Sequence, residues 1–365
     1  MKNIGKSLLT IAISTLLTAA ALSVSAGNKD RNGQSAAGQL LINPWAGSNG
    51  WGSAGLANIK GIESMYSNVA GLSFVEKTQL GYTHSIYFSG TGIGINAMGI
   101  GQSLGEDRGV LGLSIMMMNF GDIQMTTEDQ PDGGLGTYSP SVMNLGVSYA
   151  KSFSDAIKAG VTGRLVNEGS YNTNAIGFSL DAGIQYITGR QEQFRLAVAI
   201  KNIGLPMSFK GDGLDIRGTV ENGTYIQTLS NRSASYELPA NLSLGLSYDF
   251  LIGSRSGQEE AENAADAKHR ITMAGTFVSN AYSNDQYLLG IEYSWKEMFQ
   301  ARGGYTIESG MWDEETIISL YFGPSLGASF LIPMNKNYSK VAIDYAYRFT
   351  VKWGGCHHIG ARIIL

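Results

Sequence analysis

The stretch Gln286-Tyr287-Leu288-Leu289-Gly290-Ile291-Glu292-Tyr293-Ser294-Trp295 decides the fold of this chain. Tyr287, Leu289, Ile291, Tyr293 and Trp295 fall on one face, and Gln286, Gly290, Glu292 and Ser294 fall on the other. A period of two is the signature of a β-strand, because successive side chains point to opposite sides of the pleat. Here one side is wholly apolar and aromatic, and the other, Leu288 apart, is small, polar or charged.

Working outward, the same pattern recurs along most of the sequence. Leu242, Leu244, Leu246, Tyr248 and Phe250 alternate with Ser243, Gly245, Ser247 and Asp249. Val341, Ile343, Tyr345, Tyr347 and Phe349 alternate with Ala342, Asp344, Ala346 and Arg348, and Ile157, Ala159, Val161, Gly163 and Leu165 with Lys158, Gly160, Thr162 and Arg164. The pattern predicts strands at 78–88, 91–101, 109–119, 141–151, 156–168, 173–187, 193–203, 240–250, 269–280, 286–296, 298–307, 316–330, 338–349 and 357–365, about fourteen in all. An even number returns both chain ends to one side, as in outer-membrane barrels. The expected fold is therefore all-β, a transmembrane antiparallel barrel occupying 78–365. Long connections at 120–140, 204–239 and 308–315 fall on the outer side and short ones, such as Phe153-Ser154-Asp155, on the periplasmic side. The connection 251–268, with its acidic run Gln258 to Glu262, is long yet periplasmic by this count.

A soluble β-sandwich also alternates, but the charges argue for lipid. Lys158, Arg164, Asp181, Arg195, Lys201, Asp249, Glu292, Arg302, Asp344, Arg348 and Arg362 all sit on the non-apolar face. Each would cost about 2–4 kcal/mol against the bilayer midplane, so they are expected to face a lumen. There they hold an N-terminal plug by ion pairs or line a watery path; Arg164, Arg195, Glu292, Arg302, Asp344 and Arg348 are the candidates of interest. Tyr82, Tyr149, Tyr186, Tyr248, Trp295, Tyr305, Tyr347 and Trp353 are expected at the two headgroup levels.

The beginning of the chain reads differently. Lys2 and Lys6, an apolar run to Val24, and Val24-Ser25-Ala26 before Gly27 form a signal peptide over 1–26, cut after Ala26, which implies delivery to the cell outer membrane. An uncleaved anchor is the alternative; Ser and Thr within the run argue against it. Beyond it no window holds the roughly 20 apolar residues of a spanning helix. Residues 27–77, with Pro44, Trp45 and Trp51, lack the alternation and read as an irregular arm or plug. Asn58 to Val69 is expected to form a helix with Ile59, Ile62, Met65, Tyr66 and Val69 on one face. The 48 glycines, 18 tyrosines and 15% charged residues are unlike a soluble domain, and the net charge of −4 gives no reason to expect nucleic acid.

Chemistry is not evident. His357 and His358 are neighbours on a strand and point to opposite faces, so they do not chelate one metal ion together. No nucleophile elbow, phosphate loop or zinc-protease motif occurs. The chain is expected to be no enzyme and to hold no cofactor and no metal.

Leu40-Leu41-Ile42-Asn43-Pro44-Trp45, Gly50-Trp51-Gly52-Ser53-Ala54-Gly55-Leu56-Ala57 and Ser67-Asn68-Val69-Ala70-Gly71-Leu72 resemble the N-terminal signature of the PorV/PorQ family, whose barrels are like those of the FadL fatty-acid transporters. Similarity extends through Met118-Asn119-Phe120-Gly121-Asp122-Ile123, Asp181 to Tyr186, Gly211-Asp212-Gly213 and Val341 to Arg348. Val69 stands where the general FadL-like signature has proline, which leaves open PorV, PorQ or a paralogue. The resemblance implies a fourteen-stranded outer-membrane protein of Bacteroidota tied to type IX protein secretion and gliding, a shuttle that binds translocon or cargo. On that reading the contacts come from outer-loop residues Asp122, Asp132, Tyr138, Met207, Phe209, Asp212, Tyr225, Tyr236 and Trp312. The rival reading is a FadL-type channel for hydrophobic small molecules, with a lateral opening at Gly323-Pro324. Inward faces of Gly, Ser, Thr and charge favour the first, since a conduit for apolar molecules calls for an apolar lumen. An anchor for periplasmic partners through 251–268 is a third reading. Expected partners are outer-membrane lipid, secretion proteins or cargo, and in the rival reading hydrophobic small molecules.

Overall fold

The structure is a computed structural model, describing residues 29–105, 107–219, 226–256, 261, 263–308, 323–334, 339–350 and 354–365. Fourteen antiparallel strands close into one barrel, each paired with its sequence neighbours and the first with the last. We number them β1 (Thr78–Tyr87), β2 (Ile93–Ser103), β3 (Val110–Asn119), β4 (Ser141–Ser152), β5 (Ile157–Ser170), β6 (Thr173–Thr188) and β7 (Phe194–Gly204). The second half comprises β8 (Asn241–Ser254), β9 (Ala267–Asn280), β10 (Gln286–Trp295), β11 (Phe299–Glu308), β12 (Gly323–Pro333), β13 (Lys340–Arg348) and β14 (Cys356–Ile364). Most boundaries agree with the alternation to within two or three residues. Of β12, expected from 316, the part from Gly323 is described; residues 309–322 lie outside the described ones.

Closure leaves no free edge, so every strand's backbone groups find partners without water, as a bilayer requires. Leu111, Leu113, Met117, Leu145, Val147, Ile184, Leu244, Ile291 and Ile343 point outward and are exposed. Ser148, Thr162, Ser247, Thr272, Ser294 and Ser329 point inward and are buried. Oil-facing outside and polar inside is the arrangement of a membrane barrel, the reverse of a soluble one. Tyr149, Tyr186 and Trp295 lie near strand ends, whereas Tyr82 stands mid-strand on β1 with its hydroxyl donating to Asn96 Oδ1 at 2.7 Å. Trp353 lies outside the described residues.

Loop lengths do not alternate strictly. The long-loop mouth, which in such barrels faces the exterior, also carries the short turns 88–92, 171–172 and 281–285. The opposite mouth carries 255–266, shortened from the expected 251–268 because β8 and β9 extend to Ser254 and Ala267. Two small hairpins decorate the outer loops, Ile123–Gln124 with Thr137–Tyr138 and Ile216–Thr219 with Ile226–Leu229.

The ladder slips once among the described pairs, between Leu180 and Ala182 of β6 opposite β7. There the backbone N–H of Asn202, a left-handed residue at φ 60°, donates to Asp181 Oδ1 at 2.7 Å. At Gly323-Pro324, where a lateral opening was expected, both residues pair in register with Thr306 and Tyr305 of β11, and the described ladder to β13 begins at Ser325. Proline is tolerated there because it stands at the start of a strand.

Residues 36–75 lie inside the barrel. The segment begins at the long-loop mouth, where Ala36 N–H donates to Glu237 O at 3.1 Å and Arg31 donates to the Tyr282 hydroxyl at 3.1 Å. It leaves at the other mouth, running into β1. The expected helix over Asn58 to Val69 is broken into a 3-10 turn at Gly61–Glu63, one α-turn at Ser64–Ser67 and a 3-10 stretch at Val69–Phe74. Gly61 at φ 74° and the extended Asn68 interrupt it. The physical reason is surroundings: Ile62, Met65, Val69, Ser64 and Asn68 are all buried, so no solvent face exists for an amphipathic helix to present.

Candidate functional site

The site is built where the inner segment meets the strands. A β-barrel of this size leaves a wide lumen, and filling it needs either bulky side chains or a second layer of chain. The inward glycines make room for the second layer. A Cβ on Gly304 would lie 2.3 Å from the backbone of Trp51, and one on Gly327 would lie 2.5 Å from Gly50 Cα. Gly81 faces Ile62, Gly99 faces Trp45, Gly245 faces Leu56 and Gly360 faces Ala46 in the same way. Polar strand residues then satisfy the segment's backbone: Gln185 donates to Leu56 O and Ile59 O at 3.3 and 3.0 Å, and Thr276 donates to Ala54 O at 2.8 Å. Buried backbone carbonyls need such partners, which explains why the lumen face is polar.

Among the described residues two cavities flank the segment, one on each side. The outer vestibule, about 490 Å3, is walled by Leu41, Ile42 and Leu56 of the segment and by Met118, Val142, Val278 and Leu288 of the strands. Lys201, Glu308 and Arg348 also line it. The inner chamber, about 340 Å3, is lined instead by Arg195, Arg270, Glu292, Glu297, Arg302 and Arg362. Gly47, Ser48 and Trp51 face the chamber while Gly52 and Ser53 face the vestibule, so one turn of chain separates them. That turn is braced by Asn43, whose amide donates to Ser48 Oγ and Ser53 Oγ, both at 2.9 Å.

The expected lumen charges all face inward, and most of them pair with one another across neighbouring strands. Arg195 on β7 meets Asp249 on β8 at 2.6 Å, and Arg270 on β9 meets Glu292 on β10 at 3.0 Å. Arg302 on β11 meets Glu292 at 2.5 Å and Ser329 on β12 at 2.5 Å; Ser329 in turn donates to Asp344 on β13. Arg362 on β14 closes the belt at 2.7 Å from Asp344 and reaches Glu63 of the segment at 3.5 Å. Arg164 stands apart, paired with Asp181 at 2.7 Å, and Arg348 donates to Asn49 Oδ1 at 3.3 Å. His357 turns outward to the Tyr345 hydroxyl at 2.9 Å, while His358 turns inward to Ser85 Oγ at 2.7 Å.

The expected loop contacts divide. Asp132 and Asp212 are exposed, and Asp122 accepts a hydrogen bond from Ser139. Tyr138 packs edge-on against Tyr171, with centroids 5.7 Å apart. Tyr225 and Trp312 lie outside the described residues. Met207 is corrected: it is 1% exposed, so it is no docking contact. It packs with Ala37, Leu40, Val166, Ala175 and Leu238, and Phe209 and Tyr236 lean on the same cluster. These three residues hold the loop down on the segment because apolar groups next to an apolar cavity wall bury themselves there. Burial and the nearby Glu168 carboxylate, which accepts the Tyr236 hydroxyl at 2.7 Å, push that hydroxyl above its ordinary range.

No protein-family model matches the sequence, and no curated protein sequence matches it significantly. Solved structures do match. The Pseudomonas putida toluene transporter TodX is 13% identical, the match covering 87% of this chain and 96% of that one, with a TM-score of 0.54. The CymD monoaromatic hydrocarbon channel is 15% identical over 88% of this chain and 97% of that one, with a TM-score of 0.52. At identities this low the likeness is one of fold. The residues of the central segment that wall the vestibule were not apparent from strand faces. Leu41, Ile42 and Leu56 come from the irregular segment. The apolar set Ile59, Ile62, Met65, Tyr66 and Val69 was the one signal that the segment packs against something.

Proposed function

We propose that this protein is a channel of the outer membrane for hydrophobic small molecules, not an enzyme. The observation that carries the reading is the outer vestibule of about 490 Å3, open at the long-loop mouth and walled by apolar side chains. Concave, mostly apolar sites with a few polar groups are how proteins receive small ligands. The fold adds support, since the structures it resembles are titled as a toluene transporter and a monoaromatic hydrocarbon channel. The argument from inward faces that favoured a secretion role weakens, because Leu41, Ile42 and Leu56 of the segment join Met118, Val142, Val278 and Leu288 of the strands in an apolar wall.

The secretion reading rests on the motifs alone, and the burial of Met207 removes one of its docking residues, while Phe209 and Tyr236 are partly buried on the same cluster. Uptake of labelled toluene by cells carrying the protein in their outer membrane tests the proposal. Faster uptake than in cells without it is the expected result. Equal uptake, together with co-purification of secretion proteins from native membranes, would return the secretion reading to first place.

A further inference from the structure

The lipid-facing side of β1 and β2 carries a polar island. Tyr82 and His84 on β1 and Asn96 on β2 alternate with the buried Thr83, Ser85, Ile95 and Ala97, so their side chains point outward. Asn96 Oδ1 accepts from the Tyr82 hydroxyl at 2.7 Å and from His84 Nδ1 at 2.9 Å. That leaves His84 Nε2 as an acceptor and the Asn96 amide nitrogen as a donor, and among the described residues neither has a hydrogen-bond partner. Turning the amide over exchanges the two roles and still leaves one donor and one acceptor. Apolar groups enclose the pair: Ile359 on β14 stands beside His84, Met117 on β3 stands beside Asn96, and Ile86 and Met98 lie two residues along on either side. Tyr347, His357 and Ile86 form the next row outward, close to the outer ends of β13, β14 and β1. The island lies one row deeper, among acyl chains. Polar groups left unpaired in hydrocarbon are costly, and within a bilayer they mark a contact with other polar groups.

We propose that the face formed by β1 and β2 docks a second copy of this chain within the bilayer. Two copies inserted in one direction are related by a two-fold axis along the membrane normal, which exchanges left and right and keeps height. His84 and Asn96 are directly opposite each other on neighbouring strands. With the axis between β1 and β2, His84 of each copy therefore stands against Asn96 of the other, and the free acceptor meets the free donor twice. Acyl chains offer neither group at this depth, and a soluble partner does not reach it. The exposed Leu80, Ile86, Met98, Met117 and Ile359 supply the packing surface around the pair. Gly94, opposite Ile86, leaves the ring open to a neighbour: a Cβ placed there would meet only His84 Cε1, at 3.6 Å. The face lies outside the lumen, so the pairing is independent of what the vestibule carries.

Sedimentation equilibrium of the purified, folded barrel in density-matched detergent micelles tests the pairing, and the wild type is expected to form a dimer. His84→Leu and Asn96→Leu each remove both bonds between the copies, so each is expected to weaken self-association by about tenfold to a hundredfold. A mixture of the two variants regains one bond, because Asn96 of the first meets His84 of the second. With a fluorescent label on one variant, the mixed pair is expected to be about threefold to tenfold tighter than either variant with itself. A purely structural role for the trio gives no such recovery. Heat-modifiable gel mobility checks folding, and the variant that folds carries the test if the other does not. A wild type that stays monomeric overturns the inference, whether bare or holding a lipid that His84→Leu loses in native mass spectrometry. Self-association that neither substitution weakens overturns it as well, and so does a mixture no tighter than the separate variants. The channel reading stands in each of these cases.

Discussion

The two cavities of one barrel are built from the same alternating strands, yet the outer one is apolar and the inner one is a belt of ion pairs. The strands turn Met118, Val142, Val278 and Leu288 to the outer cavity and Arg195, Arg270, Glu292 and Arg302 to the inner one, and the central segment follows the same division. Toward the exterior it brings Leu41, Ile42 and Leu56 to the cavity. Toward the other mouth it brings Glu63, which ties into the belt at Arg362. On the channel reading, a ligand from outside meets apolar wall first and a charged girdle only beyond the turn at residues 47–53. The girdle also clamps β7 to β14 from within.

Breaking the girdle has the largest expected effect. Glu292→Ala leaves Arg302 without its carboxylate in a buried site, a loss of about 3–5 kcal/mol, measured as a lower midpoint of urea unfolding in lipid vesicles. An unchanged midpoint would mean that the inner chamber is solvated and the belt is ornamental. Loosening the vestibule comes next: Met207→Ala, at a site 1% exposed, is expected to cost about 2–5 kcal/mol. Its effect should concentrate in the loop, seen as proteolysis near 205–240 while the barrel stays intact.

The partition itself is tested by a neighbouring pair of glycines. Gly304→Ala drives a methyl into the Trp51 backbone, whereas at Gly303 the nearest atom to a new Cβ is 3.8 Å away, on Leu326. Overpacking of this kind costs about 1–3 kcal/mol. Gly304→Ala is expected to displace the turn, join the cavities and raise single-channel conductance, while Gly303→Ala leaves conductance as it was. The smallest expected effect is at the outer rim. Arg31→Ala removes the guanidinium lying 4.2 Å over the Tyr282 ring, worth about 0.5–1 kcal/mol at an exposed site. It should speed hydrogen exchange at residues 30–36 and leave the inner chamber unaffected.

How much was legible follows from where the information is local. Tyr287 to Trp295 and Val341 to Phe349 announce strands because face and polarity repeat every second residue. The lumen charges were legible for the same reason, since lipid forbids them on the other face. Asn58 to Val69 misled because apolar spacing of helical type was read as one amphipathic face, when the segment is enclosed on all sides. Met207 misled because a loop's sulfur side chain looks available until something nearby covers it. His84 and Asn96 were not legible as a pair, because their meeting depends on the register of β1 against β2, which alternation alone leaves open.

By itself the sequence determined that the chain makes a closed, lipid-facing cylinder of alternating strands, because that constraint acts residue by residue between oil and polar interior. Only the tertiary structure decided what the interior is: which glycines admit the Trp51 backbone, where the cavities fall and which charges find partners. Those outcomes depend on contacts between residues far apart in the chain, such as Gly304 with Trp51 and Arg362 with Glu63, and no local pattern encodes them.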